Sequence, residues 1–252
     1  MTMTTKTAAE RWMAKFVMVF AALIVIAGAG TIFAYPAVAA VACPACYGLA
    51  RLDSNTFVDQ GMPADERAEL MDILWEARHR VSNFYGSFIS NPRILVCSTE
   101  SCYRHIGGHR ERGKSFFDIA LMLSPRGFDV VIASHELSHI ELHRRLGLIP
   151  SLTNAIPAWF DEGVAVIVSN DQRYLAPADA PDRCLVRSDN ALPSTMSEWN
   201  RVAGMRSSHV YAEASCRVSD WMLQRGGSYA VRTLVRMVSL GTPFSQVYQQ
   251  QQ

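Results

Sequence analysis

The stretch VVIASHELSHIELHRRLG, residues 130–147, carries three histidines at intervals of four residues, at His135, His139 and His143. Asp129, just before the stretch, belongs to the residue types that cap helix N-termini, and the pattern predicts a helix that ends before the final glycine. Residues four apart on a helix share one face and differ in height by about 6 Å. The three imidazoles should therefore lie along one side of this helix.

The first two histidines belong to the motif HExxH, residues 135–139. Both side chains can reach one metal ion, since Zn–N distances are about 2.0–2.1 Å. His143 lies about 12 Å along the helix from His135, which is too far for both to bind the same cation. Glu136 stands beside the first ligand and can contact a water molecule on the ion without binding the ion itself. Exposed helix histidines without a metal are the alternative, and a third ligand would decide between the two interpretations.

A second motif follows in the stretch PAWFDEGVA, residues 157–165. Together the two motifs resemble those of the gluzincins, thermolysin-like zinc metallopeptidases in which a helix with the pattern W-x-x-E-G follows the HExxH helix. The matching positions are Trp159, Glu162 and Gly163, and the resemblance implies that Glu162 is the third zinc ligand. Twenty-two residues separate His139 from Glu162, somewhat more than in the thermolysin-like and aminopeptidase-like branches, a departure that concerns the subfamily rather than the chemistry.

The resemblance covers roughly residues 94–240 in the order of the elements. The metzincins, which also contain HExxH, require glycine and histidine where this chain has Leu142 and Arg145. The gluzincin resemblance implies an α+β fold, a mainly helical zincin-like domain with a small mixed sheet. It also implies peptide-bond hydrolysis with Zn²⁺ as the cofactor.

The resemblance further assigns catalytic roles to two residues. Glu136 corresponds to the glutamate that acts as general base. A tyrosine on a later helix often stabilises the oxyanion in these enzymes, and Tyr211 in HVYAEASCRVSDWML occupies the matching place. His209 is a competing hydrogen-bond donor, and packing in the core is the alternative role of Tyr211.

The composition bears on the class of partner. Across 252 residues, 24 basic and 23 acidic side chains leave a net charge of +1. This charge is too small to attract nucleic acid or another polyanion through a long-range field. With 49% hydrophobic residues the chain can bury a substantial core. We therefore expect a folded domain that does not bind nucleic acid.

An almost uninterrupted apolar run, FVMVFAALIVIAGAGTIFAY, occupies residues 16–35. It is long enough to cross a hydrocarbon layer of about 30 Å as a helix. Three basic residues precede it, and the positive-inside tendency places residues 1–15 in the cytoplasm. We expect a transmembrane anchor or signal segment over residues 16–42. Residues 43–252 should then form a domain on the extracytoplasmic side, periplasmic or extracellular.

The same N-terminal region allows two other interpretations. A signal peptide could be cleaved after the small residues Ala39 or Ala42, but the apolar run exceeds the usual length of about 7–15 residues, so we favour an uncleaved anchor. Cys43 could carry a lipid. Ala40 stands three residues before it, however, where such sites usually have a larger aliphatic residue.

All six cysteines follow the apolar run, as expected for an oxidising compartment. We expect three disulfides. The close pairs Cys43 with Cys46 and Cys97 with Cys102 allow local bridges, although spacing does not establish the connectivity. A redox pair in CPAC and a zinc knuckle built from the first four cysteines are the less favoured alternatives.

The rest of the sequence predicts the elements around these motifs. Helices are expected over MPADERAELMDILWEARHRVSNFYG, IPAWFDEGVAVIVS, VYAEASCRVSDWMLQRGG and SYAVRTLVRMVSLG. Strands are expected over RILVCS and SFFDIALMLS, separated by the loop IGGHRERGK. The second strand resembles the edge strand on which related enzymes bind an extended peptide, or else it lies covered in the core. Glu141, Asp161 and His143 could orient a ligating imidazole, but we expect all three on the solvated surface.

These patterns favour a membrane-anchored zinc peptidase that acts on a peptide or protein substrate. The alternative is a catalytically inactive zinc-binding protein, or a disulfide-stabilised interaction protein tethered to a membrane.

Overall fold

The computed structural model describes residues 12–13, 16–20, 35–205 and 208–250. The described part of the chain is a mixed α/β fold, 56% helical, with a five-stranded mixed sheet. This confirms the expected mainly helical fold with a small mixed sheet. The strands are β1 (Leu49–Arg51), β2 (Thr56–Asp59), β3 (Arg93–Val96), β4 (Gly113–Phe116) and β5 (Ala120–Leu123). The helices are α1 (Pro36–Ala42), α2 (Ala64–Tyr85), α3 (Glu100–His105), α4 (Val130–Leu146), α5 (Leu148–Leu152), α6 (Ala158–Ser169), α7 (Met196–Ala203), α8 (Val210–Gln224), α9 (Ser228–Ser239) and α10 (Phe244–Gln250).

The sheet has the strand order β1-β2-β3-β5-β4. The outer pairs, β1 with β2 and β4 with β5, are antiparallel, whereas β3 pairs in parallel with β2 and β5. Successive side chains on a strand point to opposite faces. Ile94 and Val96 of β3 lie in the main core with α2, α4, α6, α8 and α9, while Leu95 lies in a smaller core with α1 and α3. The sheet therefore separates a large helical layer from a small one.

The expected single strand over residues 115–124 is wrong, because this stretch contains the turn of a β-hairpin. β4 ends at Phe116 and β5 begins at Ala120. The turn lacks glycine and proline, the residues that usually mark one. Phe117 has a φ of 47°, a left-handed backbone conformation that bulky residues rarely adopt. Of the two strands, β4 lies at the edge of the sheet, and β5 lies between β3 and β4. The sequence patterns do not predict β1 and β2, which have three and four residues.

The HExxH stretch forms α4, and the four other expected helices are confirmed as α2, α6, α8 and α9. Asp129 caps α4, since its carboxylate accepts hydrogen bonds from the backbone N–H groups of Val131 and Ile132 at 2.7 and 3.2 Å. α6 begins at Ala158, directly after Pro157. These local signals position the two helices that carry the motif residues.

The expected membrane segment lies largely outside the described residues. Within the ranges that the structure describes, no helix is both long and apolar enough to span a membrane. The end of the expected segment is described and forms α1 (Pro36–Ala42). This helix packs on the domain through Ala37 and Ala40 in the smaller core.

The structure contains three disulfides, Cys43–Cys46, Cys97–Cys102 and Cys184–Cys216. The expected number of bridges and the two local pairings are therefore confirmed. The third bridge joins the segment between α6 and α7 to α8, and so holds that segment against the helix that carries Tyr211.

Candidate metal centre

The side chains of His135, His139 and Glu162 meet between α4 and α6. The Nε2 atoms of the two histidines are 3.1 Å apart, and Oε2 of Glu162 lies 3.2 Å from the first and 3.6 Å from the second. The fold thus brings together the three residues that the motifs single out, as a group that could hold a metal ion.

The spacing of these three atoms can be compared with that of a tetrahedral zinc site. Ligands about 2.0–2.1 Å from one ion at tetrahedral angles lie about 3.3–3.4 Å apart. The observed distances of 3.1, 3.2 and 3.6 Å lie on either side of this value. Two imidazole nitrogens and one carboxylate oxygen are also a ligand set that zinc accepts in proteins. The residues therefore fit Zn²⁺ in spacing and in chemistry.

Asp161 lies between two imidazoles. Its Oδ1 accepts a hydrogen bond from Nδ1 of His139 at 2.8 Å, and its Oδ2 accepts one from Nε2 of His143 at 3.1 Å. Because an ionised carboxylate only accepts, Nδ1 of His139 carries a proton while its Nε2 faces Glu162. Ligating histidines usually have a partner of this kind. The expected surface position of Asp161 is wrong, since only 8% of this residue is exposed, and His143 is partly buried.

Burial and opposite charges control the ionisation of this group. Burial lowers the pKa of His139, but the carboxylates of Asp161 and Glu162 outweigh it and hold this pKa well above its usual value. Burial raises the pKa of both carboxyls, but the histidines hold that of Asp161 well below its usual range and lower that of Glu162 to about 2. Both carboxylates are therefore ionised, and their charges need a proton or a cation nearby.

α6 places the two carboxylates in the interior of the domain. Eleven of its 12 residues are buried, as expected for a helix that is packed on all sides. Gly163 permits a close approach to α8, because a Cβ there would lie 2.7 Å from Cγ2 of Val218 and 2.8 Å from the carbonyl oxygen of Ala214. Trp159 packs edge-on against Phe244 in the core. The glycine and the tryptophan of W-x-x-E-G therefore hold α6 in place, and only its glutamate joins the metal-binding group.

A cleft of about 550 Å³ opens over the group and is bordered by β4. Glu136 lines this cleft, and its side chain rests against the start of β4, where a Cβ on Gly113 would lie 2.7 Å from Cγ of Glu136. Within the described residues, β4 pairs only with β5 and forms one edge of the sheet. Main-chain groups on the outer side of an edge strand are available to an extended peptide. The cleft thus combines a carboxylate, a group that could hold a metal ion and the edge of a sheet.

Tyr211, in the first turn of α8, also lines the cleft. Its ring lies 6.3 Å from that of His135 and stacks on Tyr174 at 4.8 Å. Burial and the carboxylate of Glu162 raise the pKa of Tyr211 above its usual value, so its hydroxyl keeps its proton and can donate a hydrogen bond. His209 is exposed and is absent from the described residues that line the cleft. Position therefore favours Tyr211 over His209 as a donor to a bound ligand.

Several residues that line the cleft or pack against its lining carry no local sequence signal. Gly113 lies on a strand edge, Phe117 in a hairpin turn and Tyr174 in an irregular segment, and these come together only through tertiary packing. For Asp161 the sequence allows the orienting role that the structure shows, although it favours a surface position. Asp161 directly precedes Glu162, and His143 repeats the four-residue spacing of the two other histidines.

Glu141 was expected on the solvated surface, and the structure shows that this expectation is wrong, because the residue is fully buried. Its carboxylate accepts hydrogen bonds from the hydroxyl of Ser90 at 2.6 Å, from the backbone N–H of Ser90 at 3.0 Å and from Nε of Arg145 at 2.8 Å. Glu141 therefore ties α4 to the segment before β3 and acts as a structural residue.

Comparison of the chain with known protein families, with curated proteins and with solved structures finds no match.

We predict that Glu141→Ala lowers the free energy of unfolding by about 3–5 kcal/mol, because removing one member of a buried ion pair leaves the other without its partner. Chemical denaturation with the disulfides intact measures the change. Glu76→Ala is the matched control. Glu76 also pairs with an arginine four residues later, Arg80 on α2, at 2.9 Å, but its side chain is 40% exposed. The control should lose about 0–1 kcal/mol. Equal losses in the two variants would contradict the structural role of Glu141.

Proposed function

We propose that the protein is a zinc-dependent peptidase of the gluzincin type, with a zincin-like domain over residues 43–252. The observation that carries this proposal is the triangle formed by Nε2 of His135, Nε2 of His139 and Oε2 of Glu162, with sides of 3.1, 3.2 and 3.6 Å. This triangle lies in an open cleft that Glu136 also lines. The order of the HExxH and W-x-x-E-G motifs along the chain supports the same conclusion.

His135, His139 and Glu162 would hold the ion, and Asp161 would orient His139 through the hydrogen bond to Nδ1. When bound, Zn²⁺ acts as a Lewis acid and lowers the pKa of a coordinated water molecule to about 7.

Glu136 acts as the general base in this mechanism. Its carboxylate accepts a proton from the attacking water and passes that proton to the nitrogen of the leaving amine. The side chain follows His135 on α4 and lies against Gly113 at the start of β4. The base is therefore beside the strand on which a peptide would bind.

β4 and Tyr211 position the substrate. An extended peptide that adds to the edge of β4 gains main-chain hydrogen bonds irrespective of its side chains. The hydroxyl of Tyr211 donates a hydrogen bond to the carbonyl oxygen under attack, where negative charge develops in the transition state. Its stack on Tyr174 limits the motion of the ring.

We further infer that the apolar residues 16–35 anchor the protein in a membrane with a single pass. The domain then lies on the extracytoplasmic side, periplasmic or extracellular, where its three disulfides are stable. The substrate is a peptide or protein, and the net charge of +1 argues against a nucleic acid.

We predict a ranking of zinc content after purification without chelator. Glu162→Ala should lose most of the metal because it removes a ligand. Asp161→Asn should lower zinc affinity about 10–100-fold because it weakens the bond that orients His139. His143→Ala should retain zinc, since His143 contacts Asp161 rather than the other two histidines. Elemental analysis measures the content, and loss of zinc from His143→Ala equal to that from Glu162→Ala would refute the ligand set.

We predict that wild-type protein cleaves peptides in a mixture and that a chelator stops the cleavage. Glu136→Gln should bind as much zinc as the wild type but lose at least about 10²-fold in rate, because an amide cannot accept the proton. Mass spectrometry of the products and elemental analysis measure the two quantities.

Glu111→Gln is the control for this experiment, since Glu111 is another carboxylate in the lining of the cleft. This variant should retain activity. Normal cleavage by Glu136→Gln would refute the assignment of the base, and full zinc binding without any cleavage by the wild type would favour the inactive zinc-binding protein instead.

We predict that Tyr211→Phe lowers kcat about 10²-fold with little change in KM, because a donor that acts on the transition state is lost. Tyr174→Phe is the matched control, as it removes a hydroxyl from the other ring of the same stacked pair. Steady-state kinetics measure both variants. A similar kcat for Tyr211→Phe and the wild type would assign Tyr211 to packing alone.

A further inference from the structure

The folded domain begins directly after the proposed membrane anchor. The apolar run ends at residue 35, and α1 begins at the next residue, Pro36. One face of α1 lies in the smaller core. At the other end of the helix, Nη1 of Arg93 donates a hydrogen bond to the carbonyl oxygen of Ala42 at 3.3 Å. Both ends of the short helix are therefore fixed to the domain, and the described residues from Pro36 onward leave no flexible linker after the anchor.

The first turn of α1 packs against the loop that leads to the cleft. Gly107 lies in this loop, just after α3, and a Cβ on it would be 2.5 Å from the backbone nitrogen of Ala37 and 3.0 Å from Cγ of Pro36. Its φ of 87° is a left-handed conformation that glycine adopts readily. Gly107 therefore lets the loop lie directly against the residues that join the domain to the proposed anchor.

The same loop continues into the cleft. His109, Glu111 and Gly113 line the cleft, and the side chain of Glu136 rests against Gly113. Gly113 follows Gly107 by six residues. Because an extended chain spans at most about 3.3–3.6 Å per residue, these six residues cover at most about 22 Å. The start of β4 and the proposed general base beside it are therefore close to the junction with the anchor.

The surface between this junction and the cleft is basic. Arg104, Arg110 and Arg126 are exposed and line a pocket that shares two of its lining residues with the cleft. The carbonyl oxygen of Arg104 accepts a hydrogen bond from the backbone N–H of Gly107 at 3.1 Å, so the pocket begins at the junction. Of the three arginines, only Arg126 forms an ion pair within the described residues, with Glu100. The other two guanidinium groups suit the phosphates of lipid headgroups.

We propose that the protein cleaves membrane-anchored polypeptides in the extracytoplasmic segment that directly follows their membrane span. This inference rests on the proposed peptidase function and on the proposed anchor. The headgroup layer adds about 5–8 Å to the distance from the hydrocarbon, so the start of β4 lies within about 30 Å of it. An extended polypeptide covers this distance with about nine residues. The cleaved bond should therefore lie within about the first ten residues after the span.

Attachment to the same bilayer favours such substrates over free peptides. Enzyme and substrate then move in one surface layer, and each is present near the other at a high effective concentration. The direct connection through α1 also limits how far from the bilayer the cleft can reach. A bond that a stiff spacer holds well beyond about 30 Å should therefore escape cleavage.

The test uses the full-length protein carrying zinc, reconstituted in phospholipid vesicles. Each model substrate has one membrane span, a proline-rich spacer and a sequence that the protein cleaves in a peptide mixture. Such spacers extend by about 3.1 Å per residue, so about 8 residues hold the site roughly 25 Å from the span and about 16 residues hold it roughly 50 Å away. The near site should be cleaved at least about tenfold faster than the far site, and at least about tenfold faster than the same sequence without a span.

Two insertion variants measure the role of the direct connection. A Gly/Ser linker of about 30 residues between Tyr35 and Pro36 adds roughly 30 Å of reach and should raise cleavage of the far site about tenfold. The same linker between Pro181 and Asp182 is the matched control, because both residues are exposed and neither lines the cleft. The control should keep the preference for the near site. Zinc content and circular dichroism verify the fold of both variants.

The outcomes separate this inference from the proposals on which it rests. Absence of cleavage of every substrate by the zinc-loaded wild type would overturn the peptidase function. Release of the protein from cell membranes by alkaline carbonate would overturn the anchor. Equal cleavage of near and far sites, equal cleavage of anchored and free substrates, or equal effects of the two insertions would overturn the membrane-proximal substrate class alone.

Discussion

Two adjacent carboxylates, on Asp161 and Glu162, are buried within a helix that is itself packed on nearly all sides. Removing an ionised carboxylate from water costs several kcal/mol unless a charged or hydrogen-bonding partner replaces the water. Here the partners are imidazoles of α4, and within the described residues all the ion pairs of these carboxylates are with histidines. The arrangement of α4 against α6 therefore depends on how this charge is neutralised, by protons or by a cation.

The two buried carboxylates neutralise their charge through different contacts. Asp161 uses both of its oxygens for hydrogen bonds to His139 and His143, so it orients side chains. Glu162 instead presents Oε2 to the Nε2 atoms of His135 and His139. Asp161 thus orients the histidines, whereas Glu162 belongs to the group that could hold a metal ion. Successive residues on a helix point about 100° apart, which is why adjacent positions can serve two different sets of partners.

The part of the sheet that lines the cleft is its edge strand, β4. β4 is held in place by β5, and the hairpin turn between them places Phe117 where the cleft meets a neighbouring cavity of about 270 Å³. Close packing at two glycines completes the arrangement: Gly113 admits the side chain of Glu136 beside the strand, and Gly163 admits α8 and its Tyr211 beside α6. The cleft and the neighbouring cavity are adjacent because Phe117, His143, Asp161 and Met196 line both.

The sequence by itself determined the main helices and the pairing of His135 with His139 on one helix face, because these depend on short-range patterns, whereas it only allowed the two close disulfide pairs and offered Glu162 through a resemblance between motifs. Helical periodicity, an N-cap at Asp129 and intervals of four residues are all readable within one or two turns. Only the tertiary structure decided that residues 115–124 form a hairpin, that Glu141 and Asp161 are buried, and that a second cavity adjoins the cleft. These features depend on contacts between segments far apart in the chain, and neither a turn without glycine or proline nor a carboxylate with a buried partner carries a local signal of its surroundings.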